Sequence, residues 1–275
     1  MPFVPPHLLA AQPVTALAVS GTKVAYATAD CRVSLWDRSA HRVTHFAPGP
    51  ACEQTSTGTA VAAVSIAGTR VVFLHYTGGN IREWSLWTAT PARPKPRQIA
   101  FATSDPEAAP PLVLGRGRDG VVPWANGKTV TVVRADGSRA LRWTAPAAVT
   151  ALTESPGGVT VATANGAVTT VGRTTQTTVF PQAPGVVATS FDAFAVQYGR
   201  ILDSRGLRPR TFTLARSTLL AGATGNRAVI VGGGAVRTID LVTGAGALVG
   251  HGTLAAVDGT TLATASGKRL VVAKI

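Results

Sequence analysis

Short stretches in which Val, Ala, Leu and Ile alternate with Thr, Ser and other polar residues recur along the chain. Each runs into a Gly, Asp or Asn turn and out into a second stretch of the same kind. The pattern starts at Ala16–Ala25 with its turn at Gly21-Thr22, returns at Ala62–Val72 around Gly68-Thr69, and again at Leu112-Val113-Leu114 with a turn at Asp119-Gly120. It continues at Thr150-Ala151-Leu152, Val187-Ala188-Thr189, Leu220-Ala221-Gly222 and Ala255-Ala256-Val257, followed by Pro156-Gly157-Gly158, Phe191-Asp192, Gly225-Asn226 and Asp258-Gly259. A period of two is the spacing of a β-strand, and self-similarity at roughly 35 to 50 residues is the mark of a repeat architecture. No stretch sustains a helical period.

Each unit has room for four short strands. In the first they fall at Thr15–Ser20, Lys23–Thr28, Arg32–Trp36 and Arg42–Phe46, separated by Gly21-Thr22, Ala29-Asp30 and Asp37-Arg38-Ser39. Later second-to-third-strand turns fall at Gly78-Gly79-Asn80, Asn126-Gly127, Asn165-Gly166, Tyr198-Gly199, Gly232-Gly233-Gly234 and Ser266-Gly267, where Gly and Asn supply the positive φ of tight hairpins. Four-stranded antiparallel meanders repeated radially are the blades of a β-propeller. The pattern predicts an all-β fold with seven blades, or six if the long second and third units are divided differently. The last unit runs out of chain after three strands. His7 to Ala11 resembles a fourth strand, so the two ends are expected to complete one blade and close the ring.

Arg32-Val33-Ser34-Leu35-Trp36-Asp37 resembles the end of the third strand in the WD-repeat family of propellers. Ile239-Asp240-Leu241-Val242-Thr243-Gly244 is similar to the same segment in bacterial propeller repeats, and Gly250-His251 echoes the family's Gly-His. The likeness in strand order covers nearly the whole chain, whereas Trp-Asp and Gly-His each occur once and in different repeats. What it implies is a divergent bacterial-type propeller acting as a rigid scaffold for protein partners.

The chain of 275 residues is read as a single domain, residues 1–275, with one irregular insertion at about 81–110. That insertion holds Ile81-Arg82-Glu83-Trp84-Ser85-Leu86-Trp87 and then Pro91-Ala92-Arg93-Pro94-Lys95-Pro96-Arg97. Its Pro/Arg alternation predicts an extended, polyproline-like segment, either a recognition arm for an acidic partner or a long connection between strands.

Composition adds a charge of +13, from 26 Lys and Arg against 13 acids. A basic excess of that size suits an acidic protein or an anionic envelope polymer, and equally a general compositional bias toward Arg. On the predicted fold the cations fall on both faces. Arg32, Arg82, Lys128, Arg200, Lys268 and Arg269 lie on one, and Lys23, Arg38, Arg70, Arg118, Arg139, Arg173, Arg205 and Arg227 on the other. Specific nucleic-acid binding, which needs a concentrated stripe with interleaved aromatics, is not expected. No apolar run approaches the ~18 residues of a membrane helix. The first residues lack the basic and apolar regions of an export signal, so the chain is either cytoplasmic or a mature, secreted or envelope form whose signal has been removed.

Cys31 and Cys52 are the only cysteines. Cys31 lies at a second-to-third-strand turn and Cys52 in the connection leaving the same unit. In a propeller both emerge on one face, so they are candidates for a disulfide closing a loop of about 20 residues, worth roughly 3 kcal/mol and implying an oxidising compartment. Gly115-Arg116-Gly117-Arg118-Asp119-Gly120 matches G-x-G-x-x-G but leads into Val121-Val122-Pro123-Trp124, a strand rather than the helix that dinucleotide binding requires. The histidines His7, His41, His45, His75 and His251 show no metal-ligand spacing, and no cofactor or metal is expected.

The candidate binding residues are therefore Arg82, Trp84, Trp87, Arg93, Lys95, Arg97, Lys128 and Arg200, the tryptophans serving as exposed anchors beside arginine. The first expectation is a non-enzymatic, monomeric protein-interaction scaffold. The alternatives are a propeller binding carbohydrate or anionic polymer, and a channel-centred hydrolase or lyase drawing on Glu154, Asp192, Asp258 and a histidine.

Overall fold

The computed structural model describes residues 7–46, 52, 58–117, 120–155, 158–172, 176–179, 185–188, 193–197, 200–203, 210–213 and 218–275, with backbone alone described at 155 and from 176 to 213. Every element found among them is a strand. Strand β1 (His7–Leu9) precedes sheet I, formed by β2 (Val14–Ser20), β3 (Lys23–Thr28), β4 (Val33–Asp37) and β5 (Arg42–His45). Sheet II is β6 (Thr59–Ala67), β7 (Arg70–Thr77), β8 (Arg82–Thr90) and β9 (Arg93–Ser104). Sheet III is β10 (Leu112–Leu114), β11 (Val121–Asn126), β12 (Thr129–Arg134) and β13 (Arg139–Thr144), and sheet IV is β14 (Val149–Ser155), β15 (Gly158–Thr163), β16 (Ala167–Gly172) and β17 (Gln176–Val179). Sheet V comprises β18 (Gly185–Ala188), β19 (Ala193–Gln197), β20 (Arg200–Asp203) and β21 (Arg210–Thr213), and sheet VI β22 (Leu219–Thr224), β23 (Arg227–Gly232), β24 (Ala235–Asp240) and β25 (Gly246–His251). In sheet VII, β26 (Leu254–Asp258), β27 (Thr261–Ser266) and β28 (Arg269–Lys274) are joined by β1, which pairs antiparallel with β28 through Leu8 opposite Leu270.

Each sheet is a four-stranded antiparallel meander, and its first strand packs against the first strand of the next sheet, with β2 also meeting β26. These are the blades of a β-propeller, and the first strands line its axis. The core lies between blades rather than inside any one of them. In β3, Val24 and Tyr26 face sheet VII, against Ala263, Ala265 and Leu270, while Ala25 and Ala27 face sheet II, against Val64, Ile66 and Phe73. In β7, Val71 and Phe73 turn back to sheet I while Val72 and Leu74 turn forward to Leu112 and Val122 of sheet III. A strand covered on both faces must be apolar at consecutive positions, which is why β3, β7 and β15 read as unbroken buried runs. Fourth strands such as β5, β9 and β13 have one uncovered edge and are richer in Arg and Thr.

A local rule sets the turns between second and third strands. Thr28 Oγ1 donates to Asp30 Oδ1 at 2.6 Å and lies 3.1 Å from Arg32 O; Thr163 Oγ1 repeats this with Asn165 Oδ1 at 2.6 Å and Ala167 O at 3.0 Å. The residue after the Asp or Asn takes a positive φ, 84° at Gly166 and 59° at Cys31. Cys31 thus occupies a place where glycine costs less. Its position is explained by its bond: Cys31 and Cys52 form a disulfide with Cα atoms 5.2 Å apart. At the opposite face, Asp37 and Asp240 cap the third-to-fourth-strand turns, accepting from the amides of Ser39 and Ala40 and of Val242 and Thr243. The Asp of the Trp36-Asp37 motif therefore works as a turn cap.

The segment expected as an irregular insertion is regular. Arg82–Thr90 and Arg93–Ser104 are the two outer strands of sheet II, joined at Pro91-Ala92. Pairing with β8 gives the backbone of 93–104 hydrogen-bond partners that a polyproline segment would leave to water. Pro94 and Pro96 are tolerated because β9 is an edge strand and its register shifts between Thr88 and Thr90.

Candidate functional site

The candidate binding residues are divided by the fold. Strand β8 runs from the face of the second-to-third-strand turns to the opposite face, and β9 runs back. Arg82 and Lys128 consequently sit at one face, whereas Arg93, Lys95 and Arg97 begin β9 at the other. Arg200 opens β20, and its side chain lies outside the described residues. Asp192, Arg118, Asp119, Arg173 and Arg205 also lie outside them.

Trp84 is a core residue, not a surface anchor. It is 4% exposed, its Nε1 donates to Ser104 Oγ at 3.0 Å, and its ring lies 5.2 Å from that of Tyr76. Trp87, three residues on, faces sheet I, half-buried against the core, with Nε1 donating to Ser85 Oγ at 2.8 Å. The tryptophan pair thus fills the layers on the two sides of sheet II. Arg82 stacks over Tyr76 with its guanidinium carbon 5.3 Å from the ring centre. Lys128 is exposed in the turn between β11 and β12. Of the candidate binding residues, Arg93, Lys95 and Arg97 remain together and exposed, on the outer edge of a twelve-residue strand that also presents Phe101 at 50% exposure.

These three extend toward a basic corner between sheets II and III. Arg70, the first residue of β7, is fixed there: its Nε donates to Ala135 O at 2.9 Å and Nη1 to Thr88 Oγ1 at 3.1 Å. Burial, followed by the like charges of Arg97 and Arg93, holds its pKa below the usual guanidinium value, against an opposing pull from Asp136. Arg134 donates to Ser138 Oγ and Arg139 O on the far side of the same corner. The sequence pointed to Arg70 and Arg139 as one face and the Arg93–Arg97 run as an arm; register brings them together.

The second feature is the axial channel, a cavity of about 260 Å³ lined by first strands. Strand β10 stops after three residues and Gly115-Arg116-Gly117 carries on beside β14, with a parallel bridge from Arg116 to Thr153. Both glycines are obligatory. A Cβ on Gly115 would lie 2.6 Å from Leu152 O, and one on Gly117 would collide with Ile66 O. The squeeze turns Arg116 into the channel, where Nη2 donates across the axis to Leu220 O at 2.9 Å. Enclosure by the ring pushes its pKa down to about 10, although water in the channel still reaches it, so it is charged at neutral pH. Gly222 makes room, since a Cβ there would meet Arg116 Nη1 and Val257 at 2.5 Å. The glycines that suggested a nucleotide loop are thus close-approach positions in an inner strand, and the arginine between them was the overlooked residue.

The acids considered for catalysis are dispersed. Asp258 Oδ2 accepts from Gly21 N at 2.8 Å, tying sheet VII to sheet I, and Glu154 is half-buried on β14, its amide bonded to Arg116 O. Among the described residues, no three His, Cys, Asp or Glu side chains converge to hold a metal ion. No described helix is long and apolar enough to cross a membrane.

No protein-family model matches the chain, and no curated protein does. Solved structures do. Chaetomium thermophilum Raptor is similar with a TM-score of 0.61 and 13% identity, over 98% of this chain and 28% of that one. Saccharomyces cerevisiae Sqt1 is similar with a TM-score of 0.53 and 13% identity, over 98% of each chain. At such identities the likeness is one of fold, and it agrees with the strand pairing: the protein is a β-propeller.

Proposed function

We propose that the protein is a non-enzymatic interaction scaffold, a seven-bladed ring closed by β1 on β28, which holds an acidic protein partner along β9 and the basic corner beside it. The carrying observation is the uncovered outer edge of β9, with Arg93, Lys95 and Arg97 exposed in sequence and Phe101 further along. Aligned cations steer an acidic partner, and an exposed aromatic on the same edge gives it an apolar contact. The likeness in fold to Raptor and Sqt1 supports a scaffold role without naming the partner. The Cys31–Cys52 disulfide supports an oxidising compartment, hence a secreted or envelope location. The experiment is affinity capture from soluble and envelope fractions with the native chain and with Arg93→Glu/Lys95→Glu/Arg97→Glu. A partner retained at high salt by the native chain and lost from the variant is expected; equal capture by both would refute this surface.

A further inference from the structure

Between sheets II and III the basic corner opens into a crevice of about 360 Å³. One wall carries Arg97 and Ile99 from β9 with Thr88 from β8; the other carries Trp124, Thr131, Val133 and Arg139. The walls differ in chemistry from rim to floor. Arg97 and Arg139 are exposed at the rim, and neither has a carboxylate within ion-pair distance among the described residues. Arg70 adds a third charge, held in place by its bonds to Ala135 and Thr88. Deeper, the Ile99 and Val133 side chains and the Trp124 ring form an apolar surface. There the Trp124 indole Nε1 is shielded from solvent and has no hydrogen-bond acceptor.

Among the described residues, no acidic side chain lines the crevice. Asp136, whose charge acts on Arg70, accepts from Ser138 N at 2.8 Å in its own turn. The site therefore offers guanidinium donors from two blades above an apolar wall.

From this geometry we infer that the crevice binds a phosphate monoester, with the phosphoryl group between Arg97 and Arg139 and the apolar part of the ligand against Ile99, Val133 and Trp124. A tetrahedral dianion suits donors converging from several directions, whereas a carboxylate has two oxygens in one plane and leaves part of that donor set unused. The volume exceeds that of a phosphate ion alone and lies in the range of small-ligand pockets, leaving room for a ring-sized group. The ester is either on a phosphorylated side chain of a partner or on a free small molecule. The inference shares Arg97 and the basic corner with the scaffold reading, but concerns a compact anion in the crevice and not a protein along the strand edge.

The test is calorimetric titration of the native chain with phenyl phosphate, inorganic phosphate, benzoate and a tyrosine-phosphorylated peptide with its unphosphorylated form. Phenyl phosphate is expected to bind at least tenfold more tightly than benzoate, and Arg97→Gln/Arg139→Gln to weaken it at least tenfold. Both arginines are exposed, so the variant should keep the native melting curve. Ile99→Ala is expected to weaken phenyl phosphate binding several-fold by removing an apolar wall contact, while leaving inorganic phosphate binding unchanged. Arg237→Gln, an exposed arginine on sheet VI, controls for net charge and should leave affinity unchanged. A phosphopeptide bound more tightly than phenyl phosphate would identify a modified partner; the reverse order would identify a small ester. The inference is overturned if benzoate matches phenyl phosphate, if the double variant binds like the native chain, or if the control variant loses as much affinity. Arg93→Glu/Lys95→Glu, which leaves Arg97 in place, separates the two readings: loss of partner capture with phenyl phosphate binding intact in that variant, or the converse, distinguishes this site from the scaffold surface.

Discussion

His75 makes the stability of the protein depend on pH in a way that can be calculated. It lies in β7, opposite Val61 on β6 and Ser85 on β8, 1% exposed, with Nε2 buried and without a hydrogen-bond partner. Burial penalises the imidazolium and lowers the pKa from 6.5 to about 4. Because the folded value is depressed, the unfolded chain takes up the proton first. Stability is therefore fully present above pH 6.5 and is lost as pH falls toward 4. Each pH unit in that window is worth about 1.4 kcal/mol, so the native state loses roughly 2–3 kcal/mol by pH 4.5 from this residue. Asp30, Asp37, Asp136 and Asp240, whose pKa values are also lowered, add acid sensitivity in the native chain and any His75 variant alike. Urea unfolding at pH 7 and 4.5 of the native chain and His75→Gln isolates the histidine. The variant should lose roughly 2 kcal/mol less between the two pH values, whatever its stability at pH 7. An equal loss in both would show that His75 is protonated without penalty and that its burial has been misjudged.

Three further outcomes follow from the packing. Reducing the Cys31–Cys52 disulfide should lower unfolding free energy by about 3 kcal/mol, given a sequence separation of 21, and intact mass after alkylation should show two modified thiols only when reductant is present. Gly117→Ala should destabilise by about 2 kcal/mol or more, because the new methyl meets the Ile66 carbonyl in the backbone of β6; thermal melting checks this, and an unchanged midpoint would mean the inner strands are not held this closely. Deleting residues 1–9 removes the pairing of β1 with β28 and the contact of Leu8 with the core beside Leu270, and should cost at least about 2 kcal/mol; an unaltered denaturation curve would refute ring closure by β1.

Much of this fold is written in local chemistry. Lys23–Thr28 is a strand by its short apolar run bounded by turns, and ends at Thr28 because a Thr followed two residues later by Asp or Asn closes a turn with its own side chains, a rule repeated at Thr163 and Asn165. The same arithmetic of strands and faces located the disulfide. A long-range strand pairing was also legible where a segment had a missing partner, as His7–Leu9 did for sheet VII. What local chemistry could not decide was which way a side chain points once strands are aligned. Trp84 and Trp87 differ by an odd number of positions, so they enter opposite layers, and neither stands on the surface expected for an anchor. Pro94 and Pro96 looked incompatible with pairing until the edge position and the register shift near Thr90 accommodated them. The arginines of the crevice are separated by 27 to 69 residues from one another, and Arg116 and Leu220 by 104. Sequence alone determined the strands, turns and repeat, because hydrogen bonding and two-residue alternation act over a few neighbours. Tertiary structure decided the crevice and the channel, because those depend on which blades pack together and how closely their backbones approach.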